Sequence, residues 1–125
     1  MRDERGSAVV DFVLVSLVLV PLVLGIMQVA LVMFVHNTLA SAAHEGARRG
    51  ATIDGGPGDA AALTRKQIRG AVADRFAREV TARDTVVDGV PGVAVHVHAV
   101  VPALGLWGPG VSVDVDGHAV KEQAP

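Results

Sequence analysis

Residues Phe12–Val35, FVLVSLVLVPLVLGIMQVALVMFV, decide the architecture of this 125-residue chain. At a rise of ~1.5 Å per residue the run measures roughly 36 Å as a helix, enough to cross a hydrocarbon core of about 30 Å. Only Ser16, Pro21, Gly25 and Gln28 interrupt its Val, Leu, Ile, Met, Phe and Ala. A helix suits lipid because each backbone amide is satisfied within the segment. Pro21 is expected to kink the helix rather than end it, since its freed carbonyl and the Ser16 hydroxyl lie about a turn apart.

Outside this run, composition limits what can be built. Hydrophobic residues make up 50% of the chain, yet the aromatic ones are only Phe12, Phe34, Phe76 and Trp107, so an external domain must be packed from Val, Ala and Leu. Cysteine is absent, which rules out thiol chemistry and disulfide staples. A small domain of this kind draws extra support from packing against a neighbour or an assembly partner. The net charge of −2 gives no reason to expect a nucleic-acid partner. Charge is unevenly placed: Asp59–Arg83 carries six basic residues against three acidic, whereas Asp84 onward carries Lys121 against five acidic residues. Head-to-tail attraction between copies and two solvated faces both fit that asymmetry.

Before the run, Met1–Gly6 is polar and charge-balanced, unlike the net-positive start of a secretory signal, and the apolar segment is longer than a cleavable signal needs. Ala40-Ser41-Ala42 nevertheless has the small-x-small pattern cut by signal peptidase, which leaves open a secreted domain beginning at Ala43. The more informative pattern is Gly6-Ser7-Ala8-Val9-Val10-Asp11-Phe12. Asp11 places a carboxylate at the threshold of the apolar run, where burial without a cation costs several kcal/mol. Cutting after Gly6 would free the α-amine of Ser7 and make Asp11 the fifth residue, able to pair with that amine in its own chain or an adjacent copy. A carboxylate favoured by the helix dipole in the headgroup zone is the simpler alternative.

Gly6 followed by Asp11 and a long apolar helix is similar to the processing site of type IV pilin-like proteins. Within that class, Arg5-Gly-Ser-Ala-Val-Val-Asp-Phe, the apolar run with Gly25-Ile-Met-Gln, and Ala42-Ala-His-Glu-Gly-Ala-Arg-Arg-Gly-Ala resemble the TadE-like family of tight-adherence pilus systems. The resemblance covers about the first 50 residues. It implies cleavage between Gly6 and Ser7 by prepilin peptidase, an inner-membrane aspartyl protease. It also implies a minor pseudopilin or assembly role, with the pilus assembly platform, other pilins and membrane lipid as partners. The family usually has Glu where this chain has Asp11, which keeps the charge with a shorter reach. Arg2 and Arg5 at one end and Arg48 and Arg49 at the other nearly balance the positive-inside rule. The resemblance implies the N-terminus inside and the bulk outside, in the cell membrane or in an extracellular pilus.

From His36 the helix is expected to continue out of the membrane, with no turn signal before Asp54-Gly-Gly-Pro-Gly. Ala42, Ala43, Gly46, Ala47 and Gly50 fall on one side, at a spacing that lets another backbone come close. The partner of this packing stripe is either the chain's own second helix or a neighbouring subunit. The second helix is expected to run from about Gly58 to Arg83, with Asp59 or Thr64 as N-cap and Ile68, Val72, Phe76 and Val80 as a buried stripe. Asp74–Arg78, Arg75–Glu79 and Glu79–Arg83 are each four residues apart, as helix-supporting ion pairs would be. After Asp84 the period changes to two. Val93–Val101 and Val111–Asp116 alternate as half-buried strands, and Asp84–Gly89 suggests a short edge strand. Between them, Pro102–Gly110 carries Leu104, Leu106 and Trp107, which either dock on membrane or protein or cap the small core.

The expected fold is therefore α+β: a long N-terminal transmembrane helix, a second amphipathic helix and a small antiparallel sheet of two to three strands. Its organisation is a leader at 1–6, the transmembrane helix at 7–35, its extension at 36–53, a turn at 54–58 and an external α+β region at 59–125.

His96 and His98 share one face, as do Asp114 and Asp116, so pairing of these strands would gather imidazoles and carboxylates in a metal-like set; alternating polar residues on a solvated face give the same pattern. No metal, cofactor or catalytic residue is assigned. The chain has no Gly-x-Ser-x-Gly, no His-Glu-x-x-His and no phosphate-cradling glycine loop after a strand, and is not read as an enzyme. A membrane-anchored binding module, using the basic segment or the Trp107 loop, is the further alternative to a pilus role.

Overall fold

A computed structural model describes residues 2–103 and 110–122. The Leu104, Leu106 and Trp107 positions, and with them the proposed docking tip, lie outside the described residues. Helix α1 spans Arg2–Gly50 without a break at Pro21. Helix α2 spans Pro57–Ala71, a 3-10 turn covers Asp74–Ala77, and strands β1 (Glu79–Val87), β2 (Val90–Val101) and β3 (Val111–Val120) complete the chain. The fold is α+β, with a sheet of order β1-β2-β3, antiparallel throughout.

Helix α1 stops at Gly50, and the reversal begins at Ala51, not at Asp54: the Thr52 hydroxyl donates to the Arg49 carbonyl at 2.8 Å, and the Gly55 amide donates to the Thr52 carbonyl at 3.0 Å. Pro57 then opens α2, where its missing N–H costs nothing. The N-cap is Gly56, in place of the expected Asp59 or Thr64. Asp59 lies in the first turn, where the helix dipole favours it, and Thr64 is buried in the middle of the helix.

The largest departure from expectation is the end of α2 at Ala71, twelve residues before Arg83. Ile68, Phe76 and Val80 do enter the core and Val72 packs against it, but through a helix, a 3-10 turn and a strand in succession. Residues Glu79–Arg83 are held in β1 by pairing with β2, from Glu79 opposite His98 to Arg83 opposite Ala94. Cross-strand bonding with a valine-rich partner outweighs the local helix spacing. The expected helical ion pairs from Asp74 to Arg83 consequently do not form. Arg69 instead approaches Asp74 at 3.8 Å, and Arg75 stands over the Phe76 ring at 5.1 Å.

Strands β1 and β2 are joined by Asp88 and Gly89, both at positive φ (50° and 81°), the backbone that a two-residue hairpin of matching twist requires. Val93, Val95, Val97, Ala99 and Val101 of β2 and Val113 and Val115 of β3 face the helices and are buried. The core closes over them with Val35, Leu39, Ala42, Ala43 and Ala47 of α1 and Ala60, Ala61 and Ile68 of α2. It is a two-layer arrangement with the helices on one face of the sheet.

Candidate functional site

The lower part of α1 stands clear of this core. Val9–Leu24 is exposed apart from half-buried Ser16 and Leu24, with Phe12 at 72% exposure, and the helix is long and apolar enough to cross a membrane. Asp11 is exposed on the same segment and, among the described residues, has no ion-pair partner. A Cβ placed on Gly6 or Gly25 would meet nothing within 4 Å, so packing does not demand glycine at either position. Ser7 is likewise exposed.

Above His36 the same helix is packed on two sides. A Cβ on Gly46 would collide with the Thr64 hydroxyl and stand 2.7 Å from the Ala60 carbonyl oxygen, and one on Gly50 would stand 2.6 Å from the Ala60 methyl. These are approaches that only a bare Cα permits. Ala42, Ala43, Gly46, Ala47 and Gly50 are all buried, and their helical partner is the chain's own α2. Thr64 adds a polar tie across the contact: its hydroxyl lies 2.7 Å from the Ala60 carbonyl and 3.3 Å from that of Ala42 in α1.

The sheet contributes the second side. A Cβ on Gly117 would stand 2.5 Å from the His44 amide nitrogen and 2.6 Å from the Ala43 carbonyl oxygen, so β3 lies directly against α1. Sequence reasoning missed this contact, although a glycine interrupting the Val/Asp alternation of a strand is the usual sign of close backbone approach. Two further ties were not foreseen. Nε2 of Gln28 donates to the Pro102 carbonyl at 3.3 Å, and the Glu122 amide donates to the Ala51 carbonyl at 2.7 Å.

On the outer face of the sheet, register places His96 opposite Asp116 and His98 opposite Asp114. The pairs meet as hydrogen bonds, with Nδ1 of His96 2.7 Å from Asp116 and Nδ1 of His98 2.6 Å from Asp114, and each ring nitrogen donates to its carboxylate. The Asp114 oxygen also lies 3.5 Å from Nε2 of His96, and Glu79 of β1 lies 3.8 Å from Nε2 of His98. Among the described residues, no three His, Asp or Glu side chains converge as ligands on one point. The hydrogen bond to Asp114 raises the His98 pKa above its ordinary value, opposed by partial desolvation and aided by the charges of Asp114 and Glu79.

The N-terminal helix, with its exposed apolar half and its small-residue half, is also where the chain has a family match. The family model described as TadE-like protein matches residues 6–48. Over these residues the N-terminal helix is similar to that family. The matched segment begins at Gly6, includes Asp11 and the whole apolar run, and ends within the packing stripe, so α2 and the sheet lie beyond it. No curated protein and no solved structure matches the chain.

Proposed function

We propose that this protein is a minor pseudopilin or assembly protein of a tight-adherence type pilus. In this reading it is held in the cell membrane by α1 with its N-terminus inside and its bulk outside, and prepilin peptidase cuts it between Gly6 and Ser7. Its role is structural and not catalytic. Its partners are the peptidase, other pilins, the pilus assembly platform and lipid. The observation that carries this reading is the TadE-like helix itself. Its lower half is apolar and exposed, and its threshold holds a carboxylate with no cation partner among the described residues.

Each element has a physical task. Lipid accommodates the apolar half while the subunit waits in the bilayer, and neighbouring helices replace lipid when it is withdrawn into a filament. A charged carboxylate at that threshold is stabilised by a cation, and trimming after Gly6 creates one at Ser7. Glycine at position 6 is unexplained by packing but weakens the helix by about 1 kcal/mol relative to alanine, which favours the opened backbone a protease needs.

The fold also bears on the signal-peptidase alternative. Cutting after Ala42 would remove Val35 and Leu39, at 1% and 0% exposure, from the core and sever α1 inside its packed stretch. Gly6→Ala is expected to abolish the mobility shift that marks processing in cells. Asp11→Ala is expected to leave the trimmed subunit in the membrane and out of filaments. Unchanged processing in the first variant together with unchanged pilus formation in the second would overturn the proposal.

A further inference from the structure

Exposed valines occur at both ends of the sheet: Val86 (68%) beside the β1–β2 turn, and Val100 (49%) and Val111 (43%) at the other end. Depth along α1 distinguishes them. The hydrogen bond from Gln28 to the Pro102 carbonyl ties the end of β2 to a residue eight positions below His36, about 12 Å down the helix. Ser112 and Asp114 share a crevice with Val32, Met33 and His36, so the start of β3 lies beside the upper end of the apolar run, from about 6 Å above Gln28. At that end the outer face also changes character, from the His98–Asp114 pair to Val100 opposite Ser112.

Length then constrains where a bilayer can lie. The part of the apolar run below the tie, Phe12–Met27, spans roughly 24 Å as a helix, short of a hydrocarbon core of about 30 Å. Moving the helix inward to recruit Ala8, Val9 and Val10 would submerge the Asp11 carboxylate, at a cost of several kcal/mol. Tilting the helix only widens the shortfall.

We infer that the end of the sheet formed by Val100–Ala103 and Val111 enters the outer leaflet, so that the external domain is partly embedded in lipid and not held above it on a stalk. Lipid is the occupant because the start of β3, where Val111 is exposed, stands beside Met33 of α1, itself 59% exposed on the apolar run. The Gln28–Pro102 bond has a reason in this setting: it gives a donor to the Pro102 carbonyl, which hydrocarbon would not supply. The inference rests on the membrane-anchored reading given above.

The natural absence of cysteine makes the test direct. Full-length Val18→Cys, Val86→Cys, Val100→Cys and Val111→Cys variants are reconstituted in phosphatidylcholine–phosphatidylglycerol vesicles and labelled with a membrane-impermeant maleimide. Val100→Cys and Val111→Cys should label roughly tenfold more slowly than Val86→Cys, the change in exposed population that burying about one valine produces. An environment-sensitive fluorophore at either position should be quenched by shallow nitroxide lipids. Val18→Cys, in mid-helix, should not label at all. If Val100→Cys and Val111→Cys label as fast as Val86→Cys while Val18→Cys stays protected, the embedding is wrong and the anchor stands. Labelling of Val18→Cys as well would remove the anchor itself. Protection at Val100 and Val111 that disappears when the protein is diluted in lipid would overturn the inference in favour of coverage by a second copy.

Discussion

In α1 the stretch from Phe12 to Met27 is mostly valine and leucine, yet it lies outside the core, whereas Ala42–Gly50 is alanine and glycine between charged residues and buries one whole face. One continuous helix therefore has two environments. In its upper half burial follows from how closely another backbone can approach, and the hydrophobic yield per residue is small because the side chains are small. In its lower half hydrophobicity is high but no surface of the described residues covers it, an arrangement that lipid completes in the membrane-anchored reading. Hydropathy alone would have assigned the core to the wrong half.

Paired substitutions break this comparison most sharply. Leu39→Ala should destabilise the external domain by about 3 kcal/mol, since Leu39 is fully buried, whereas Leu19→Ala should stay within ~0.5 kcal/mol. Thermal unfolding in detergent micelles, followed by the sheet's circular dichroism, measures both. Equal losses would mean that the lower half is also part of the folded core.

A second pair uses glycine. Gly46→Val forces a branched side chain into Thr64 and the Ala60 carbonyl and should cost about 2 kcal/mol, while Gly25→Val has open space and should leave domain stability unchanged in the same melts. Thr64→Val refines the contact between the helices. It keeps the shape but loses the hydroxyl shared between Ala60 and Ala42, and a loss of about 1 kcal/mol in chemical denaturation is expected.

The smallest effect belongs to the outer sheet face. The folded-state pKa of His98 is raised, so its contribution to stability is complete below the ordinary value of 6.5 and fades as pH rises through the raised folded value. Melting temperature should therefore fall slightly across that window in the parent chain, and His98→Gln should flatten the slope.

Much of this arrangement was legible in the sequence because it is written in local periods. The apolar run, the small-residue stripe from Ala42 to Gly50 and the alternation of Val93–Val101 each report one element by itself. The end of α2 was not legible, because Ile68, Val72, Phe76 and Val80 keep a helical spacing while Ile68, Phe76 and Val80 enter the core from a helix, a 3-10 turn and a strand. What decides the matter for Val80 is its partner Val97, seventeen residues away, which no local window contains. Gly6, Ser7 and Asp11 are singled out by their pattern alone, and the fold adds only that nothing packs on Gly6. The Gln28–Pro102 and Gly117–Ala43 contacts depend on how the layers stack, and only the glycine left a trace in the sequence.

The division of α1 between lipid and core requires that both halves remain in one mature chain, trimmed only at its threshold. The intact mass of the protein extracted from its own membrane measures this in one step. A chain beginning at Ser7 is the expected result. A chain beginning at Ala43 would mean that the packed half is made without its membrane half, and one still beginning at Met1 would contradict the pilin-type processing on which the role of Asp11 depends.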